Sequence, residues 1–138
     1  MSDAKDLMKQ LTQVSNKARL TRRKEDFCEM MERYMKARKH SSRTLAQVSG
    51  ISDRTIRRMK GDDTYEPTRE MIIAVCVGMK LTLDESLDLI EKSQFRLRAD
   101  SPIDAIYLEI LENEGEYSVE EWNVALDLMG AKPIGGGR

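Results

Sequence analysis

The sequence predicts an all-α protein. Apolar residues recur at spacings of three and four along nearly the whole chain and never alternate over a sustained run. Helix-start residues, among them Ser52, Thr82, Ser101 and Ser118, stand just before those periodic runs, and Gly50, Gly61 and Gly130 stand just after them. The interior material is also helical in kind: aromatics make up 5% of the chain, while nine methionines join many leucines and isoleucines. A length of 138 residues suits one domain with appendages and can bury a core.

Residues 2–16 open on Ser2 as a cap and place Leu7, Leu11 and Val14 along one helical face. A helix of this length is marginal alone, so it docks on the body, pairs with a second copy, or frays. Lys17, Arg19, Arg22, Arg23 and Lys24 follow as a basic stretch, which reads as a solvated connector or as an arm that tracks phosphates. Residues 26–39 carry Phe27, Met30, Met31, Tyr34 and Met35 in helical register, and Lys36, Arg38 and Lys39 put cations where the helix dipole favours them. His40, the only histidine, has no second ligand or catalytic partner nearby and reads as linker.

In residues 42–61 the spacing of Leu45, Ala46, Val48, Ile51, Ile56 and Met59 predicts two short helices that bury facing stripes against each other. Gly50 supplies the turn, where positive φ costs glycine little. Ser52 is the cap of the second helix, Asp53 complements its positive end, and Gly61 stops it. With Ile56 and Met59 inward, Asp53, Arg54, Arg57, Arg58 and Lys60 look outward, four cations beside one acid. Such a helix suits a DNA major groove: it fits the width, arginine donates two hydrogen bonds to guanine, and neighbouring cations displace counterions from phosphates.

Residues 62–67 form a polar turn, and Pro67 and Thr68 lead into a helix so apolar at Met71, Ile72, Val75, Cys76 and Met79 that it must be a wall for the preceding pair. Gly78 allows close packing there. Thr82 caps the next helix, with Leu83, Leu87, Leu89 and Ile90 expected inside. After a linker at 95–100 that carries Arg96 and Arg98, Ser101 and Pro102 open a helix lined by Ile103, Ile106, Tyr107, Ile110 and Leu111, which ends at Glu114 and Gly115. Ser118 and Glu121 form a capping box ahead of a stripe at Trp122, Ala125, Leu126 and Met129. The tail at 132–138, with Pro133 and three glycines, is expected to be mobile.

Ala46, Gly50 four residues on and Ile56 six further, flanked by Leu45 and Ile51, resemble the helix-turn-helix of the lambda-repressor-like (Cro/CI-type, XRE) family. Residues 27–39 are similar to that family's first helix and residues 68–93 to its fourth and fifth, so the resemblance covers about residues 26–93. It implies a five-helix DNA-binding domain at 26–95, with an N-terminal helix and basic connector at 1–25 and a helical extension and tail at 96–138. The ending from Trp122 and Asn123 to Gly130 and Pro133 resembles, less closely, an extension found on some bacterial members. Carried over by position, the resemblance implies base reading or nearby phosphate contact by Ser52, Asp53, Arg54, Arg57 and Arg58, and backbone contact by Ser42 and Arg43. Arg38 and Lys60 are the further phosphate candidates. Two positions depart from the family pattern: Ser42 stands where glutamine is frequent, and Val48-Ser49 shifts the usual apolar position by one residue, which leaves the rotation of that helix open.

Net charge is −1, but it is divided: residues 1–60 carry 16 Lys and Arg against 7 Asp and Glu, and residues 61–138 carry 7 against 17. That polarity lets one end meet phosphate while the other stays clear of it. Cys28 and Cys76 fall among apolar helix positions and read as small buried hydrophobes in a reducing, cytoplasmic setting. No apolar run is long enough to span a bilayer, and no signal-peptide core opens the chain. There is no histidine or cysteine constellation, phosphate loop or paired carboxylate, so neither an enzyme nor a cofactor or metal is expected. The expected function is a sequence-specific DNA-binding regulator, a repressor, that acts as a homodimer on double-stranded DNA. The alternative is an adaptor or antitoxin-like module that binds a partner protein through the acidic C-terminal half.

Overall fold

The computed structural model describes residues 4–13 and 26–136, and among them it contains eight helices and no strand. Helix α1 spans residues 4–13. It is followed by α2 (Phe27–Ala37), α3 (Ser42–Ser49), α4 (Asp53–Gly61), α5 (Arg69–Gly78), α6 (Leu83–Lys92), α7 (Pro102–Glu112) and α8 (Val119–Leu128). The Ser2 cap, Val14 and the basic stretch from Lys17 to Lys24 lie outside the described residues. Every residue of α1 is exposed, Leu7, Met8 and Leu11 included.

The remaining helices start where short polar side chains accept from their first-turn amides. Asp26, Ser41, Ser52, Thr68, Thr82, Ser101 and Ser118 all do so, and reciprocal capping boxes form at Ser41 with Thr44, Thr82 with Glu85 and Ser118 with Glu121. Each such cap satisfies an amide with no partner inside its helix and contributes about 1 kcal/mol.

Helix α5 is the centre. Ile72, Ile73, Ala74, Val75, Cys76 and Val77 are all buried, so six successive residues face protein in every direction. Helices α3, α6, α7 and α8 pack on it, and α2 crosses α4 and α6. Gly78 lets α3 approach, since a Cβ there would stand 3.1 Å from Val48 Cγ2 and 3.3 Å from Leu45 Cδ1. The C-terminal helices belong to the same core: Tyr107, Ile110, Leu111, Val119 and Leu126 join the cluster built by Met31, Leu45, Ile56 and Ile72. Cys76 is enclosed in it, and burial pushes its thiol up to about 12; Cys28 is half-buried, and neither cysteine is in a disulfide.

The carboxylates caught between the layers at Asp104 and Glu70 are paired, as desolvation requires, whereas Ser86 Oγ and Trp122 Nε1 are buried without a hydrogen-bond partner among the described residues. Asp104, 3% exposed, binds the guanidinium of Arg69 and accepts from the Arg98 amide at 2.8 Å. Arg69 also lies 4.7 Å from the centre of the Phe95 ring. The Tyr107 hydroxyl donates to Glu70 Oε2 at 3.1 Å, and burial together with that carboxylate pushes the phenol up to about 12.

Several expected faces are rotated. Leu87 is 37% exposed, since the inward arc of α6 runs through Ser86, Leu89 and Ile90 and leaves Leu87 past its edge. In α8 the inward arc runs through Val119, Trp122, Asn123 and Leu126, which turns Ala125 and Met129 to solvent. The tail is docked rather than mobile through Gly136, with Ile134 only 3% exposed.

Tyr107→Phe keeps the ring edge-on to Phe95 but removes a donor from buried Glu70. It should lower unfolding free energy by about 1 to 3 kcal/mol, read by urea denaturation, with an unchanged helical circular-dichroism spectrum.

Candidate nucleic-acid interface

The outward side of α3 and α4 is built on three local devices. Ser41 holds the start of α3 through its capping box with Thr44, which leaves Ser42 half-buried and Arg43 exposed in the first turn. Gly50 ends α3 at φ +72°, a left-handed conformation that lets its amide return to Ala46 O at 3.2 Å. Ser52 then caps α4, accepting from the Thr55 amide at 3.1 Å and donating to Thr55 Oγ1 at 2.9 Å. Ile56 and Met59 are buried, which fixes the opposite side of α4 toward solvent.

On that solvent side the charged groups differ in how they are held. Arg54 and Arg43 are exposed and have no charged or hydrogen-bond partner among the described residues. Arg57 donates to Asp53 Oδ2 at 2.6 Å, an i,i+4 surface pair worth only a few tenths of a kcal/mol and readily exchanged for a phosphate. Arg58 is more constrained: its guanidinium lies 4.4 Å from the Tyr65 ring centre and 3.9 Å from Asp62 Oδ2. The Asp62 carboxyl sits below the usual carboxylate range because the Thr64 hydroxyl and amide both donate to it. Lys60 is half-buried at the end of the same helix.

Arg38 stands apart. It ion-pairs with Glu85 across α2 and α6, both side chains being less than a third exposed. Burial pushes the Glu85 carboxyl up, but the Thr82 amide and the Arg38 guanidinium outweigh it and leave the group below its ordinary value. Arg38 is thus engaged as a tie between helices, whereas Arg43, Arg54 and Arg57 stand at the surface.

The departure at Val48-Ser49 resolves into a definite rotation of α3. Val48 is 43% exposed and Ser49 is fully buried, where its Oγ accepts from the Ile51 amide at 3.2 Å. Val48 is therefore not the core residue its spacing suggested. The carbonyl of the same Gly50–Ile51 peptide accepts from Gly136 of the tail at 3.1 Å. The sequence alone assigned no part in this site to Ser49, Asn123, Ile134 or Gly136; the one available signal was Ile134, an apolar residue set between Pro133 and a glycine run.

A concavity of about 800 Å³ lies between the start of α2, the 63–70 segment and the 92–96 segment, lined by Cys28, Tyr65, Arg69 and Phe95 with charges of both signs. No group of three His, Cys, Asp or Glu side chains able to hold a metal ion occurs among the described residues, and no helix among them is long and apolar enough to cross a membrane. Comparison with protein-family models, with curated proteins and with solved structures returns no match.

Arg38→Ala should lower stability by about 1 kcal/mol at neutral pH. Because the Glu85 pKa is lowered in the folded state, the pair stabilises above the ordinary carboxylate value of 4.5 and loses that effect as pH falls through the folded pKa. The difference between wild type and Arg38→Ala, measured by denaturation, should therefore shrink below pH 4.5.

Proposed function

We propose that the chain is a sequence-specific DNA-binding transcriptional regulator of the lambda-repressor-like kind, a repressor that reads the major groove with α4 and acts as a homodimer. The observation that carries this reading is the division of α4. Ile56 and Met59 are locked in the core while Arg54, Arg57 and Arg58 are exposed on the other side, at the end of the basic half of the chain. Arg54 is the main base-reading candidate, being unpaired, exposed and in the first turn after the Ser52 cap. Arg58 lies one turn further along, and its stacking on Tyr65 limits its freedom before any base is met. Ser52, Asp53 and Arg57 adjust register. Ser42, Arg43 and Lys60 hold phosphates; Arg38 contributes only if it leaves Glu85.

One short helix reads few base pairs, so useful affinity needs two copies about 34 Å apart on one face of the duplex. Two uncovered apolar surfaces are available to a second copy: Leu7, Met8 and Leu11 on α1, and Val124 and Leu128 on α8. The α8 surface also supports a second reading, an adaptor or antitoxin-like role, because Glu120, Glu121 and Asp127 flank it and suit a basic partner protein.

Selection from random duplexes at about 150 mM salt, where nonspecific phosphate attraction is weakened, tests both readings. The regulator returns a two-fold symmetric motif; folded protein that enriches nothing favours the adaptor. Arg54→Ala should relax preference at one position of the motif by about 1 to 3 kcal/mol, whereas Arg43→Ala should weaken all duplexes alike and lower the salt slope by about one. Equal losses on every duplex from both variants would contradict these roles.

A further inference from the structure

Past α8 the chain folds back as a strap along residues 131–136. The Ala131 amide donates to Leu126 O at 2.8 Å, and Lys132 Nζ lies 3.3 Å from Glu70 Oε1. Asn123 brackets Ile134 from both sides, accepting from its amide at 2.8 Å and donating to its carbonyl at 2.9 Å. The next two amides reach the core domain: Gly135 donates to Glu70 O at 3.0 Å and Gly136 to Gly50 O at 3.1 Å. Side chains are excluded at both positions. A Cβ at Gly135, where φ is +115°, would stand 2.9 Å from Ser49 O, and one at Gly136 would stand 2.6 Å from Gly50 O.

The Gly50–Ile51 peptide is thereby held at both edges, its N–H by Ser49 Oγ and its C=O by the Gly136 amide. That peptide is the joint between α3 and α4. Only Gly50, Ile51 and Ser52 separate the two helices, so rotating it swings the first turn of α4, where Ser52, Asp53 and Arg54 stand. Strap and cap also share a hollow of about 560 Å³ lined by Gly50, Ser52, Thr55, Asn123 and Ile134.

We propose that the strap, through Asn123, Gly135 and Gly136, is a positioning element for base reading: it fixes the angle at which α4 presents Arg54. The inference rests on α4 as the DNA-reading helix. Its consequence is selective, because base contacts demand placement to within a fraction of an ångström while phosphate contacts by flexible side chains do not. The strap acts on discrimination and leaves nonspecific affinity alone.

The test uses the full chain and two duplexes, the one selected from the random pool and a scrambled version, with binding followed by fluorescence anisotropy across a salt series. Gly136→Ala and Asn123→Ala should each weaken the selected duplex about tenfold, with scrambled-duplex affinity within about twofold and the salt slope unchanged. Asn123→Asp, which keeps the acceptor for the Ile134 amide and loses the donor to its carbonyl, should fall between. If Gly136→Ala loses its circular-dichroism signal, the two Asn123 variants decide. Variants that match wild type on both duplexes, that lose both duplexes in parallel, or that bind the selected duplex more tightly overturn the inference; the last would mean that the strap obstructs DNA. A wild-type protein that selects no duplex defeats the reading of α4 itself, which separates that failure from failure of the strap.

Discussion

The structure depends on enclosing α5. A helix with Ile72 to Val77 all apolar and all buried has no face to offer water, so other elements must surround it. Full burial of each large aliphatic side chain is worth about 1.5 to 3 kcal/mol, which makes leaving any side of α5 open expensive. Helix α3 takes one side, with Gly78 admitting Leu45 and Val48; α6 and α7 take others, and α8 with Ile134 completes the enclosure. The C-terminal pair is accordingly part of the core that holds α3 and α4 in place.

That enclosure leaves two charged groups in the first turn of α5, and each is met by neighbours from the C-terminal segments. Glu70 receives Tyr107 from α7 and Lys132 from the strap on its carboxylate, while its backbone carbonyl receives Gly135. Arg69 and Asp104 join α5 to α7 beside it, with Phe95 beneath the guanidinium. One turn of helix therefore links the C-terminal segments to the element on which α3 and α4 rest. In the proposed function, this ties whatever α8 contacts to the helix that reads DNA.

The exposed side of α4 shows how a helix divides labour among like charges. Arg57 is tethered to Asp53 and Arg58 to Tyr65 and Asp62, whereas Arg54 is left to solvent. Tethered side chains lose less entropy on meeting a partner but must exchange an existing contact; the free one loses more and exchanges nothing. Within one basic patch, then, the side chains are not equivalent, and counting arginines on a helical wheel cannot distinguish them.

The sequence by itself determined the helical segments, their caps and the all-apolar character of α5. Ser52, Thr68, Thr82, Ser101 and Ser118 each accept from an amide three residues ahead, so the bond that starts each helix is written locally. The outward placement of Arg54 and Arg57 was legible for the same reason, since Ile56 and Met59 set the phase of α4 from within it. Tertiary structure alone decided the rest. Ser49 rather than Val48 faces inward because the rotation of α3 answers to Gly78 and the Ile51 amide. Arg38 became a tie because Glu85, 47 positions away, lies within reach. Residues 132–138 read as a mobile tail with three glycines, yet carbonyls at Glu70 and Gly50 were left for the amides of Gly135 and Gly136 to fill. A local pattern records what a residue does to its own helix; it holds no record of which distant carbonyl, carboxylate or cavity is waiting once the helices have packed.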